Sequence, residues 1–283
     1  LLRAPGSLPG PKGFNAVDTA DSYSSWAPGL SGGESESVIG EWLTQRKRRD
    51  DVVLMTKVGM LEARKGLSRA NIQAALDDSL RRLKTDYVDV YFAHIDDQEV
   101  PLEETLGAFS RLIEAGKVRA IGASNHDADR LRQALATSKA QGLPRYEVVQ
   151  PAYNLYGRAD FETQLAPVIQ AEGLGAVSYF SLASGFLSGK YRSKADLEGS
   201  SRKAFLEGYF DERGERILAA LREVSQQLNA PAAQVSLAWL LSRPALTAPI
   251  ASATSRAQLD EILGAVTLQL PEDARARLDT ASR

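Results

Sequence analysis

From residue 14 onward the chain alternates short apolar runs with segments of helical period, and that alternation restricts the fold more than any other feature. Strand-like runs fall at 14–18, 52–57, 87–93, 118–123, 146–150, 175–179 and 247–250. Helical signals fill the gaps. The segment 34–46 sets Val38, Ile39, Trp42 and Leu43 on one stripe. Ser68 reads as an N-cap, with Leu67 and Ile72 as a hydrophobic staple and Leu76, Leu80 and Leu83 continuing the face. Segment 103–115 carries Leu106, Phe109, Leu112 and Ile113 and stops at Gly116; 127–138 follows with Leu131 and Leu135. Phe161, Leu165, Val168 and Ile169 mark a helix ended by Gly173, and further helices cover 215–228, open at Pro231, start near Ser255 and run over 271–281. Strands regularly followed by helices predict an α/β fold with a parallel sheet.

Seven strands fit two architectures. A doubly wound sheet needs a glycine-rich phosphate loop after its first strand, but that turn reads Thr19-Ala20-Asp21-Ser22-Tyr23. The reading that remains is a (β/α)8 TIM barrel, one domain over 14–283, whose first βα unit is missing or degenerate. Residue 1 is Leu, and residues 1–13 hold Pro5, Gly6, Pro9, Gly10, Pro11 and Gly13, so an irregular tail or a truncated start is expected there. Were this the whole polypeptide, its open strand edges would predict impaired folding or activity.

Composition removes several function classes. In 283 residues, 34 basic and 36 acidic side chains nearly cancel, which speaks against nucleic acid or a membrane surface as partner. Without cysteine there is no thiol catalysis, disulfide framework or cysteine-ligated metal, and with only His94 and His126 no multi-histidine metal site is expected. No apolar run approaches the ~20 residues of a membrane span and no signal peptide opens the chain, so a cytoplasmic location is expected.

Working residues of such barrels sit where strands end. Asp18, Lys57 and His94 occupy three successive ends, 39 and 37 residues apart, about one βα unit each. Alone, each is more often a cap, a solvated lysine or a satisfied buried histidine. Together, with Tyr23 five residues beyond Asp18, they suit proton donation. A lysine ammonium favours a nearby phenolate and lowers its pKa from about 10. Asp18 would hold Lys57 charged, while His94 orients a substrate oxygen and shares the proton. The sum is a general acid aimed at a carbonyl, in a field that stabilises oxyanion charge.

The stretches Asp18-Thr19-Ala20-Asp21-Ser22-Tyr23, Thr56-Lys57-Val58-Gly59 and Asp86-Tyr87-Val88-Asp89-Val90-Tyr91-Phe92-Ala93-His94 resemble the aldo-keto reductase superfamily. The resemblance continues through Gly116-Lys117-Val118-Arg119-Ala120-Ile121-Gly122-Ala123-Ser124-Asn125, Gln150-Pro151 and the segment from Leu182 to Arg192. It implies a (β/α)8 barrel that reduces aldehydes and ketones with NADPH, or less often NADH. Tyr23 becomes the acid, Lys57 and Asp18 its tuning pair, and His94 the group that places the carbonyl. The same resemblance puts Ser124, Asn125 and Gln150 on the nicotinamide carboxamide and Tyr179 on the nicotinamide ring. It puts Leu182, Ser184, Lys190 and Arg202 at the pyrophosphate, and Ser252, Thr254, Gln258 and Glu261 at the adenosine end. Two departures stand out: Phe180-Ser181 replaces a common Ser-Pro, and Ser252 replaces a common 2′-phosphate cation, leaving Arg256 as substitute.

Read without the family, Asn125 is equally a helix cap, 182–213 a basic solvated loop, and Ser255-x-x-Gln258 a capping box. Two readings compete with an NADPH-dependent carbonyl reductase acting on a small molecule. One is a catalytically weak cofactor-binding regulatory or scaffold protein of the same fold. The other is an aldolase-like barrel in which Lys57 forms a Schiff base.

Overall fold

Val, Ile, Leu and aromatic runs bounded by turns form parallel strands, and the helices that follow each strand bury one face against them. The computed structural model describes residues 14–46, 48–199 and 203–283, so the tail expected at 1–13 lies outside the described residues. The described chain divides into two compact units: residues up to Gln150 with Glu172–Gly175, and Pro151–Ala171 with Ala176–Arg283.

In the first unit the strands are β1 (Ala16–Asp18), β2 (Val53–Val58), β3 (Val88–Ala93), β4 (Val118–Ser124) and β5 (Tyr146–Gln150), each parallel to the next. Between them run α1 (Glu34–Gln45), α2 (Arg69–Leu83), α3 (Leu102–Glu114) and α4 (Ala128–Gln141). Ser68 caps α2 by accepting from the Asn71 N–H, and the expected staple partners Leu67 and Ile72 are both buried. Asp127, not Asn125, caps α4, its side chain accepting from the Arg130 N–H.

Only part of the apolar stripe expected on α1 faces the core. Val38 is 70% exposed and Trp42 38%, whereas Glu36, Gly40 and Leu43 are buried. Two contacts with α2 explain the rotation. The Glu36 carboxylate receives Arg82 Nε at 2.7 Å and the Thr56 hydroxyl at 2.5 Å. Gly40 lies so close to the end of α2 that an added Cβ would overlap the Arg82 carbonyl oxygen. Backbone on both sides leaves no flexible group to yield, so Gly40→Ala is expected to destabilise the chain by about 1–3 kcal/mol in spite of alanine's better helix propensity. Urea unfolding measures this; an unchanged midpoint would mean that the two helices slide freely.

The second unit holds all but the last residue of α5 (Ala166–Glu172, ending beside Gly173), all but the first of β6 (Gly175–Ser178), and α6 (Lys203–Leu206), α7 (Glu212–Leu228), α8 (Ala232–Leu241), β7 (Ala248–Pro249), α9 (Arg256–Leu263) and α10 (Glu272–Ala281). Strands β6 and β7 pair in parallel through Val177 with Ala248 and Ser178 with Pro249. Trp239 of α8 is fully buried; its indole N–H donates to Asp279 at 2.9 Å, and the guanidinium groups of Arg158 and Arg243 lie 4.8 and 4.6 Å from its ring centre. The same Asp279 pairs with both arginines, which fastens α10 onto the unit. No helix among the described residues is long and apolar enough to cross a membrane.

Candidate active site

Parallel register determines which strand-end side chains meet. Asp18 lies opposite Met55, and Lys57 is two residues further along β2, on the same face. Lys57 in turn lies opposite Phe92, and His94 stands two residues beyond it. One more step along the β3–β4 register sets His94 opposite Ser124, which itself pairs with Gln150. The five side chains therefore climb one face of the sheet at its C-terminal end.

Lys57 is at the centre of this group, with no solvent exposure. Its ammonium donates to Asp18 Oδ2 at 2.7 Å, to the Thr19 carbonyl at 2.7 Å and to the Tyr23 hydroxyl at 3.0 Å. An ammonium has three protons, and all three are used. Burial acts to lower the Lys57 pKa, but Asp18 and Tyr23 more than offset it, so the net direction is upward and the amine stays charged. Asp18 is also held through its other oxygen by the Gln150 amide at 2.9 Å.

The Tyr23 phenol donates to Asp18 Oδ2 at 3.4 Å. Its pKa is raised, against the expected lowering: burial is the largest cause and outweighs the pull of Lys57, while Asp18 adds to the rise. A buried phenol thus keeps its proton at neutral pH. His94 is pushed down to about 3 by burial and by the Lys57 charge. It is a neutral imidazole at any working pH, able to orient an oxygen but not to share a proton as an imidazolium. Its Nδ1 lies 3.5 Å from the Ser22 hydroxyl, and its ring centre 6.0 Å from that of Tyr23.

Ser124 is buried and donates to the Gln150 carbonyl at 2.9 Å. Asn125 is exposed, takes a left-handed backbone (φ 59°) and donates to the His94 carbonyl at 2.8 Å. Hydroxyl and amide groups at the ends of β4 and β5 have the chemistry a carboxamide needs. Gln150 has a second task that the sequence did not reveal, because its amide is spent on Asp18.

In the second unit, Tyr179 is half-buried just past β6, and its N–H donates to the Pro151 carbonyl at 2.9 Å. Leu182 and Ser184 follow in a turn where Phe180, Ala183, Ser184 and Gly185 all have positive φ. Left-handed backbone at three non-glycine residues costs free energy and is typical of segments that hold a ligand. Lys190 is exposed, its ammonium 5.2 Å from the Tyr191 ring centre. Arg202 lies outside the described residues. Ser252, Thr254, Gln258 and Glu261 are all exposed around the start of α9, where Gln258 Oε1 accepts both the N–H and the hydroxyl of Thr254. Ser255 caps α9, accepting from the Gln258 N–H. Among the described residues, no cluster of three or more metal-ligating side chains is present.

Four residues at or beside the site escaped the sequence reading. The Thr19 carbonyl is backbone and leaves no mark in residue type. Ser22 and Asp21 sit inside the motif that carries Tyr23, which was their only signal. Trp26, in the loop after Tyr23, is 73% exposed and meets the Tyr23 ring edge-on at 5.9 Å between centres.

Working side chains gathered at the C-terminal ends of parallel strands are where α/β enzymes of the barrel type carry their chemistry. Residues 11–283 match the Aldo/keto reductase family, and the chain belongs to it. It is accordingly an oxidoreductase enzyme, of a family that typically uses NAD(P)H. The "Uncharacterized oxidoreductase YrpG" of Bacillus subtilis is 34% identical over 92% of this chain and 80% of its own length. The "Probable voltage-gated potassium channel subunit beta" of Arabidopsis thaliana is 32% identical over 90% and 78%. The "L-glyceraldehyde 3-phosphate reductase" of Escherichia coli is 29% identical over 88% and 74%.

Proposed function

We propose that the chain reduces aldehyde or ketone carbonyls of small molecules to alcohols with NADPH, Tyr23 donating the proton. The observation that carries this reading is the buried Lys57 ammonium, shared among Asp18, the Thr19 carbonyl and the Tyr23 hydroxyl. A nicotinamide supplies hydride when bound. The chain's residues do the rest. Tyr23 holds the proton at its phenol oxygen for the carbonyl oxygen, and Lys57 stabilises the phenolate left behind. Neutral His94 orients the carbonyl through a ring nitrogen. Ser124, Asn125 and Gln150 are assigned to the carboxamide, and Tyr179 to the nicotinamide ring. Leu182, Ser184, Lys190 and Arg202 are assigned to the pyrophosphate, and Ser252, Thr254, Gln258 and Glu261 to the adenosine end. The name of the Escherichia coli relative supports the reduction of an aldehyde.

The same lysine geometry opposes the Schiff-base alternative. Imine formation needs a neutral, accessible amine, and Lys57 is fully buried, charged and has no free donor. Oxidation of NADPH, followed at 340 nm against a panel of aldehydes and ketones, tests the proposal. Carbonyl-dependent oxidation is the expected result. Tight NADPH binding with no turnover of any carbonyl would favour the scaffold reading, and borohydride trapping of substrate on Lys57 would favour the aldolase.

A further inference from the structure

Asp21 is a buried acid that the reaction above does not use. It lies two residues before Tyr23 on the loop between β1 and α1 and is 1% exposed. Neither of its carboxylate oxygens meets a hydrogen-bond donor in good geometry among the described residues. It borders a cavity of about 130 Å³ together with Arg64, Asp78 and Arg82. The neighbouring elements bring ionisable groups: Glu36 from α1, Arg82 and Asp78 from α2, Arg64 from the turn before α2, the Tyr91 phenol from β3, and Lys57 from β2, whose ammonium is taken up by Asp18, the Thr19 carbonyl and Tyr23. The two arginines are already engaged, Arg82 with Glu36 and Arg64 with Asp78, each at 2.7 Å. An ionised Asp21 is therefore the one negative charge of this cluster without a cation of its own.

The backbone ties this residue to the catalytic tyrosine. The Asp21 N–H donates to the Lys57 carbonyl at 3.4 Å, and the Tyr23 N–H to the Ala20 carbonyl at 3.2 Å. The Asp21 carbonyl packs on Gly32, where an added Cβ would stand only 2.8 Å away, so residue 21 is wedged between β2 and the far end of its own loop. One residue of backbone separates Asp21 from Tyr23 and its 3.0 Å link to Lys57.

We propose that Asp21 is a positioning residue for Tyr23: as a neutral acid it lets the loop close over Lys57, and as a carboxylate it drives the loop away from Glu36. The electrostatics agree. Burial first, and then the Glu36 charge, raise the Asp21 carboxyl from 3.8 to about 7, while Arg82 pulls the other way. An acid weakened by folding contributes stability that is full below pH 4 and is lost as pH rises through about 7. The effect on turnover rests on the reductase reading; the effect on the loop does not.

Asp21→Asn keeps the shape and stays neutral at every pH, so it separates charge from packing. The melting temperature of D21N should gain on the parent between pH 5 and 7 and keep a constant lead above pH 8. At pH 8, amides of residues 19–33 should exchange with deuterium more slowly in D21N than in the parent. A group titrating near 7 goes from about nine-tenths to one-tenth protonated between pH 6 and 8, so the kcat ratio of parent to D21N should fall about tenfold over that range. Parallel pH profiles, equal exchange of the loop, or a D21N lead that shrinks with rising pH would overturn the proposal. If neither form reduces any carbonyl, the reductase reading fails, while melting and exchange still decide the role of Asp21.

Discussion

Tyr23→Phe is expected to cut carbonyl reduction by about 10²–10⁴-fold, the range of a lost general acid, and to leave NADPH affinity nearly intact. The substitution removes one oxygen. Lys57 keeps its bonds to Asp18 and to the Thr19 carbonyl, both 2.7 Å, and loses the third acceptor, at a cost of about 1 kcal/mol. The variant should therefore fold, and its defect should fall on kcat. No neighbour replaces the phenol. Burial and the Lys57 charge hold His94 at about 3, so acidifying from pH 7 to 5 supplies it with no proton. Turnover by Tyr23→Phe at the parental rate would remove Tyr23 from its role. Recovery of turnover at pH 5 would hand that role to His94.

Strand order and strand ends were legible in the sequence because apolar runs and helix caps are local. The run at 146–150 is the observed β5, and Ser68, Asp127 and Ser255 all stand at helix starts. The common face of Asp18, Lys57 and His94 follows from pleat alternation plus a spacing of one βα unit, and the register places them so. Features that depend on two distant segments were not legible. The stripe of Val38 and Trp42 looked like a core face, yet a buried Glu36–Arg82 pair and the close passage at Gly40 turn α1 the other way. The bond from Gln150 to Asp18 joins residues 132 apart, and no periodicity encodes it. The pKa of Tyr23 shows the same limit. A nearby lysine can be read from spacing, and its lowering effect with it, but burial cannot, and burial decides the direction.

Burial also makes substitution of Lys57 costly for stability. Lys57→Met keeps the length of the side chain and its fit among apolar neighbours while removing the charge. Asp18, its side chain 6% exposed, then retains among the described residues the Gln150 amide at 2.9 Å and the Tyr23 hydroxyl at 3.4 Å. Breaking a buried ion pair from one side leaves an uncompensated charge and costs about 3–5 kcal/mol. For a chain of this size that corresponds to roughly 6–20 °C in Tm, at about 2–4 °C per kcal/mol. Removing the partner charge as well should reverse most of the loss, so Lys57→Met with Asp18→Asn should melt well above Lys57→Met alone. Activity should behave differently. The double variant restores no positive charge beside Tyr23, so the phenolate left after proton transfer has no counter-ion, and turnover should stay low while stability returns. This split between melting temperature and kcat distinguishes an ammonium that serves the chemistry from one that merely balances a buried carboxylate. Lys57→Met melting at the parental temperature would show that Asp18 is held by other groups. Full turnover in the stable double variant would show that the carbonyl oxygen needs no lysine field at all.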